Sequence, residues 1–294
     1  MKLTSLSLIA LFSIGIVCAK NQISTKEKKV LIDLFESTNG AQWNNPWDLD
    51  TPVNTWKGIT VEDNHVVGIN LFRNNLDGTL PSSLGRLRHL QHLNLAFNSI
   101  TGVLPKEIVE LENLKVLRLE MNRIKGNIPE EIGQLKSLQV FSMFNNFLNG
   151  QIPEGFGELI DLKELNLSSN NLKGSIPKSL GNLTKLVALG LFENSLDGAI
   201  PAELGNLGKL KELVLANNQL GGEIPMEFAQ LSSLKILQLQ NNRFESYKGV
   251  QAMDTKQFLV FDTDDKNLKP RFNEIQLQRT RMADTKFEDD NDNE

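Results

Sequence analysis

Three histidines, His65, His89 and His92, have the widest chemistry of any side chains in this chain, and their spacing decides how much of it is open to them. His89 and His92 lie close together, but no Cys, Asp or Glu cluster joins them at the spacing of a zinc site. Asp262, Asp264 and Asp265 begin in the manner of a calcium loop. Lys266 then takes the next ligand position, and Asn267 stands where that loop needs glycine, so the pattern breaks. No serine sits in a Gly-x-Ser-x-Gly elbow, and no phosphate-cradling Walker loop occurs. Paired carboxylates such as Glu130 and Glu131 fall on solvated turns. These residues predict no catalytic site, no cofactor and no metal.

The side chains that do keep a strict spacing are amides. Asn74, Asn98, Asn122, Asn146, Asn170, Asn194, Asn218 and Asn242 recur every 24 residues. Seven of the ten prolines, from Pro81 to Pro225, and seven glycines, from Gly78 to Gly222, keep the same interval. An Asn side chain both donates and accepts, so a column of them can satisfy the backbone groups of buried turns. Unpaired, those groups would each cost about 1–3 kcal/mol. The chemistry of this column is structural.

The elements that must carry it can be read from residues 90–105, LQHLNLAFNSITGVLP. Leu93 and Leu95 alternate with polar neighbours, the period of a strand with one buried face. Asn98 follows where the chain leaves the strand, Gly102 suits a positive-φ turn, and Pro105 fixes φ at the start of a short helical segment. Ile108, Leu111 and Leu114 then form a one-sided turn that packs inward. Leu84, Ile108, Ile132, Phe156, Leu180, Leu204 and Phe228 form one such column across the array. Each unit buries its apolar face only against the next, which makes the chain a solenoid. Strands about 4.8 Å apart make a curved parallel sheet roughly 35–40 Å long.

The interval and the Leu-x-x-Leu-x-Leu-x-x-Asn pattern are the signature of a leucine-rich repeat. The fuller motif, Leu-x-Gly-x-Ile-Pro-x-x-Leu-Gly-x-Leu-x-x-Leu, resembles the plant-type class found in receptor-kinase ectodomains, receptor-like proteins and polygalacturonase-inhibiting proteins. LDGTLPSSLGRLRHL and LDGAIPAELGNLGKL carry the resemblance, which extends over residues 69–244. It implies an α/β solenoid, a right-handed leucine-rich repeat superhelix with a concave parallel sheet and eight 24-residue repeats, with a second short sheet at the Gly-x-Ile-Pro segment. It also implies a secreted or surface binding role. Two features depart from the class. Plant members carry Cys-x-Trp-x-Gly-Val-x-Cys in the N-terminal cap, whereas NTWKGITV here has Asn54 and Val61 in the cysteine positions. No kinase and no transmembrane segment follow, which resembles the cysteine-free relatives of bacteria and protists.

Residues 1–19 read as a secretory signal peptide: one Lys, a short apolar run, and cleavage after Ala19. Lipid attachment at Cys18 is the alternative, although Gly15-Ile16-Val17 matches a lipobox poorly. Cleavage would remove the only cysteine, so the mature chain would rely on its continuous core rather than disulfides. It would also remove Lys2, taking the formal charge from 31 − 36 = −5 to 30 − 36 = −6. An acidic solenoid without a basic stripe excludes nucleic acid as partner. Residues 20–66 are expected to form a helical, Trp-rich cap. Ser24-x-x-Glu27 fits a capping box, Val30, Leu31, Leu34 and Phe35 share a face, and Asn39-Gly40 stops the helix. Trp43, Trp47 and Trp56 either present flat faces to sugar rings or close the open end of the first repeat. Repeats occupy 67–244, a C-terminal cap with FLVF as edge strand 245–287, and an acidic disordered tail 288–294. Asn166-Leu167-Ser168 and Asn182-Leu183-Thr184 are glycosylation sequons, relevant in a eukaryotic source.

Binding is read from positions the repeat leaves free. Two residues before each periodic Asn stand Phe72, Ala96, Glu120, Phe144, Ser168, Phe192, Ala216 and Gln240, and four before stands a series that includes Arg118. Arg73, Phe97, Met121, Arg123, Phe147 and Glu193 flank the Asn column. Aromatic residues and Arg are enriched in interface centres, so Phe72, Phe97, Arg118, Glu120, Arg123, Phe144, Phe147, Phe192 and Glu193 are expected to form a partner-binding concave face. Phe72, Phe144 and Phe192, three and two repeats apart, make no continuous patch by themselves. The expected function is a secreted, periplasmic or surface module that binds a protein, or a cell-wall or extracellular glycan. The alternative is an envelope or adhesion component that uses the array without one discrete site. An ice-binding array would need a ladder of Thr, which these columns lack.

Overall fold

The computed structural model describes residues 23–254 and 258–265. The signal peptide expected at 1–19, Cys18, the part of the C-terminal cap beyond 265 and the tail at 288–294 lie outside the described residues. The chain forms the expected solenoid. One ten-stranded sheet runs through it in the order Ile59–Glu62, His65–Asn70, His92–Asn94, Val116–Arg118, Val140–Ser142, Glu164–Asn166, Ala188–Gly190, Glu212–Val214, Ile236–Gln238 and Val260–Asp262. The first two strands are antiparallel, joined through Asp63 and Asn64 at φ 47 and 65, and the later neighbours pair in parallel. Opposite the strands, short 3₁₀ helices open directly after the periodic prolines, as at Ser82–Arg86 after Pro81 and Lys106–Glu110 after Pro105. Helical turns are wider than the strand spacing, so the stack curves with the strands inside.

Repetition fixes the core. Ile69, Leu93, Leu117, Phe141, Leu165, Leu189, Leu213, Leu237 and Phe261 stand in register along the sheet and are buried. They meet the inward-facing helical-turn residues from Leu84 to Phe228 in one cluster. The amides act as predicted. Asn98 accepts the N–H groups of Asn74 and Leu76 through Oδ1 at 3.0 and 2.9 Å. Its Nδ2 donates to the carbonyls of Leu71, Leu95 and Ala96 at 2.9, 2.8 and 3.1 Å. Asn146 repeats the arrangement on Ile124, Leu119, Met143 and Phe144. Gly102 takes φ 79, which an L side chain adopts only with strain. A second, narrower run of strands follows the Asn column, the longest part pairing Lys173–Gly174, Ser195–Ala199, Gln219–Glu223 and Arg243–Ser246.

Both ends are closed with the chain's own side chains. The helix Thr25–Ser37 has Ser24 as N-cap, its Oγ accepting from the Glu27 N–H at 3.2 Å. The Glu27 carboxylate turns to His65 Nδ1, 3.2 Å away, instead of reaching back to Ser24. Trp43, Trp47 and Trp56 are 4%, 5% and 3% exposed. Their ring nitrogens donate to the carbonyls of Thr38, Lys57 and Asp48, each at 2.9 Å. The sugar-platform reading falls on that burial, and the rings pack with Phe35 against the first repeat. At the other end Val260–Asp262 joins the sheet from within FLVF. Asp264 accepts the N–H groups of Asn241 and Asn242 at 3.0 and 3.3 Å, and Gln238 Nε2 donates to Asp262 at 3.0 Å. Two of the aspartates that begin in the manner of a calcium loop therefore serve as the hydrogen-bonding edge of the last layer.

Candidate functional site

Away from the core, the strand side carries three columns of side chains. The first reads Gly68, His92, Val116, Val140, Glu164, Ala188, Glu212, Ile236 and Val260, and the second Asn70, Asn94, Arg118, Ser142, Asn166, Gly190, Val214, Gln238 and Asp262. Phe72, Glu120, Phe144 and Phe192 belong to a third, two residues beyond the strands. Sequence reasoning passed over the first column. Its signal was available: Val116, Ala188 and Ile236 directly precede buried leucines, so both strand faces are apolar there. Val214 and Ile236 form a second buried cluster, separate from the core, with Ala188, Phe192 and Val260 packed against it.

Several expected anchors stand elsewhere. Glu120 does not project: it is 1% exposed. Its carboxylate lies 3.2 Å from Arg118 Nη1, and Arg118 Nη2 lies 3.5 Å from Glu164. Burial raises the Glu120 pKa above its ordinary value, and the Arg118 charge opposes that shift without cancelling it. The Oε2 atom of Glu120 and the hydroxyl of Ser168, one on either side of Phe144 in the third column, have no hydrogen-bond partner among the described residues. Arg123 and Phe147 lie outside the ten-stranded sheet, beyond the Asn column where the second run of strands begins. They are exposed on the flank, because the chain has already turned away from the floor. Glu193 is exposed and accepts the Ser169 hydroxyl at 2.8 Å, and Phe97 packs on Phe72 with ring centroids 5.2 Å apart.

A depression of about 550 Å³ lies over the first strands of the floor. Thr60, Glu62, Gly68, Asn70, His92, Asn94, Val116 and Arg118 are among its lining residues. The walls thus mix amides, a guanidinium and branched aliphatic groups. The histidines do not converge as their sequence positions suggest: His65 stacks on His89 at 3.6 Å, and His92 stands apart on the sheet. Among the described residues no group of three or more His, Cys, Asp or Glu could hold a metal ion. No described helix is long and apolar enough to cross a membrane. Asn166 is buried in the floor with its Oδ1 on the Ser168 N–H, whereas Asn182 is exposed at the end of a 3₁₀ helix.

Family models described as a leucine-rich repeat region and as a leucine-rich repeat match residues 69–196 and 209–231. A search of curated proteins finds no match. Among solved structures, a PEPR1–AtPEP1 complex is similar with a TM-score of 0.73 and 28% identity, over 82% of this chain and 35% of that one. The Arabidopsis receptor kinase HAESA, in complex with the peptide hormone IDA and the co-receptor SERK1, gives 0.72 and 31%, over 82% and 42%. A repeat protein of Leptospira interrogans gives 0.54 and 36%, over 64% and 47%. The chain spans about a third of the length of the first structures it matches.

Proposed function

We propose that this leucine-rich-repeat protein is an extracellular binding module that holds a segment of another polypeptide on its concave floor. The observation that carries the reading is the depression over the first strands of the floor. Two conditions for peptide recognition meet there: Asn70 and Asn94, whose Oδ1 atoms accept the Phe72 and Ala96 N–H groups at 3.3 and 3.2 Å, keep Nδ2 donors for a backbone carbonyl, and Val116 and Val140 can cover an apolar side chain. Phe72, Phe144 and Phe192 border the floor as half-buried anchors, and Arg118 contributes a guanidinium already oriented by two carboxylates. The complexes of HAESA with a peptide hormone and of PEPR1 with AtPEP1 support the choice of a polypeptide. Export rests on the expected signal peptide, and a glycan remains the second occupant to be tested on the same floor.

The test is capture of partners from the culture medium and cell envelope by the parent protein and by a His92→Ala, Asn94→Ala double variant. Both side chains lie on the floor and outside the apolar core, but Asn94 Oδ1 accepts the Ala96 N–H at 3.2 Å, so the variant should lose up to about 1–3 kcal/mol and is compared with the parent under conditions where its denaturant curve shows it folded. A partner held by the parent should be lost from the variant. A partner held equally by both would remove the floor from the binding surface.

A further inference from the structure

Beside the floor, at the exit of the first four strands, lie an aromatic ridge and a set of cations without an ion-pair partner among the described residues. Phe72 and Phe97 are in ring contact across two repeats. Met121 follows Phe97 one repeat on, and Phe147, 53% exposed, stands beyond it on the flank. Phe97 and Met121 occupy the position before the periodic Asn, where the backbone is left-handed at φ 58 and 56. Asn tolerates that conformation best among residues with a side chain, and Asn145, Asn217 and Asn241 hold it elsewhere in the same column. Arg73, Ser169 and Glu193 hold the same position, so the turn does not ask for bulk, and the two apolar groups there make the ridge a property of these repeats.

The charges beside them are also distinctive. On the convex side, cations pair with carboxylates one repeat away, as Arg88 does with Glu110, Lys136 with Glu158 and Lys185 with Asp161. Arg73, Arg123 and Lys125, all exposed next to the ridge, have no such partner among the described residues. With Asp77 as the one exposed carboxylate there, the rim of the first four repeats carries 3 − 1 = +2. The same positions in the last four carry Lys173 and Arg243 against Glu193, Asp197 and Glu245, 2 − 3 = −1, on a chain that is acidic as a whole. The rim is therefore polarised along the solenoid, positive and aromatic at one end only.

We infer that the strand-exit rim of the first four repeats docks an acidic segment of a partner polypeptide, one that sets aromatic or aliphatic side chains among carboxylates. Its apolar side chains cover Phe97, Met121 and Phe147, and its carboxylates meet Arg73, Arg123 and Lys125. The inference rests on the reading of the chain as a polypeptide-binding module and adds the partner's chemistry and a second contact line.

The probe is a short fluorescent peptide with Phe and Leu set among Asp and Glu, followed by anisotropy on the full chain. Binding is expected to weaken with added salt. It should fall at least about tenfold in Phe97→Ala and in an Arg73→Glu, Arg123→Glu double variant, each with its unfolding midpoint checked. Equal binding of a peptide with Lys in place of the acids, or no binding of either peptide, would overturn the inference. Loss of the probe from the His92→Ala, Asn94→Ala variant alone would overturn the rim and leave the floor reading standing. Tighter binding to a full chain with Asp289, Asp290 and Asp292 changed to Ala would assign the rim to the chain's own acidic end, and would overturn the partner.

Discussion

Glu120 lies on the strand side of the sheet, and burial rather than exposure defines its behaviour. Its raised pKa means that the native chain takes up a proton more readily than the unfolded chain. Stability then falls as pH rises from the ordinary carboxylate range through the native value, because the charged form is the one that burial penalises. Glu120→Gln removes that titration. The variant should be more stable than the parent at pH 7, and the gap should close near pH 4, as read from urea midpoints at the two pH values. A gap of equal size at both would show that burial of the charge does not govern this site. Asn146 lies at the opposite extreme, since its side chain serves the backbone alone. Asn146→Ala leaves the Ile124 N–H and the carbonyls of Leu119, Met143 and Phe144 without that partner, and should cost about 1–3 kcal/mol. An unchanged denaturant midpoint would contradict the ladder's role.

At the scale of elements, the two ends carry different burdens. The helix Thr25–Ser37 and the three indoles cover a core layer that would otherwise face water. Trp47 touches Phe35, Trp43 and Trp56 at once, with ring centroids 6.1, 4.8 and 4.8 Å away. Trp47→Ala removes the middle of this stack and should cost about 3–5 kcal/mol, as for other buried aromatic truncations. Loss of less than about 1 kcal/mol in chemical denaturation would mean that the stack collapses onto the gap. The C-terminal closure is lighter. Asp264 meets exposed N–H groups, so its hydrogen bonds compete with water, and Asp264→Ala should cost no more than about 1 kcal/mol.

For the molecule as a whole, the interval of 24 residues makes the repeats exchangeable. Each layer contacts only its neighbours, so stability is close to a sum of layers and interfaces. Excision of residues 147–170 joins Asn146 to Asn171 and keeps every column in register. The shortened chain should fold, with a denaturant slope lower by about a tenth, because less surface is exposed on unfolding. Excision of 147–158 removes half an interval, sets strand against helical turn, and should abolish cooperative unfolding. Circular dichroism with urea titration separates the two outcomes; equal behaviour would show that register does not hold the stack together.

The amino-acid sequence by itself determined the solenoid, the buried columns, the Asn ladder and the glycine turns, because each repeats a local rule and repetition leaves one way to stack it. It also located the helix at Thr25–Ser37 and the strand within FLVF, where capping and hydrophobic pattern agree. Tertiary structure alone decided which free positions remain at the surface. Glu120 reads as an exposed carboxylate until the neighbouring repeats bury it to 1% exposure beside Arg118. Phe72 and Phe97 lie 25 residues apart, and only stacking of consecutive repeats brings their rings to 5.2 Å. Arg123 and Phe147 leave the floor because the chain turns at the ladder, a change of direction that alternation along a strand cannot express. Local periodicity sets what is buried within one repeat, while the contacts between repeats set what remains at the surface.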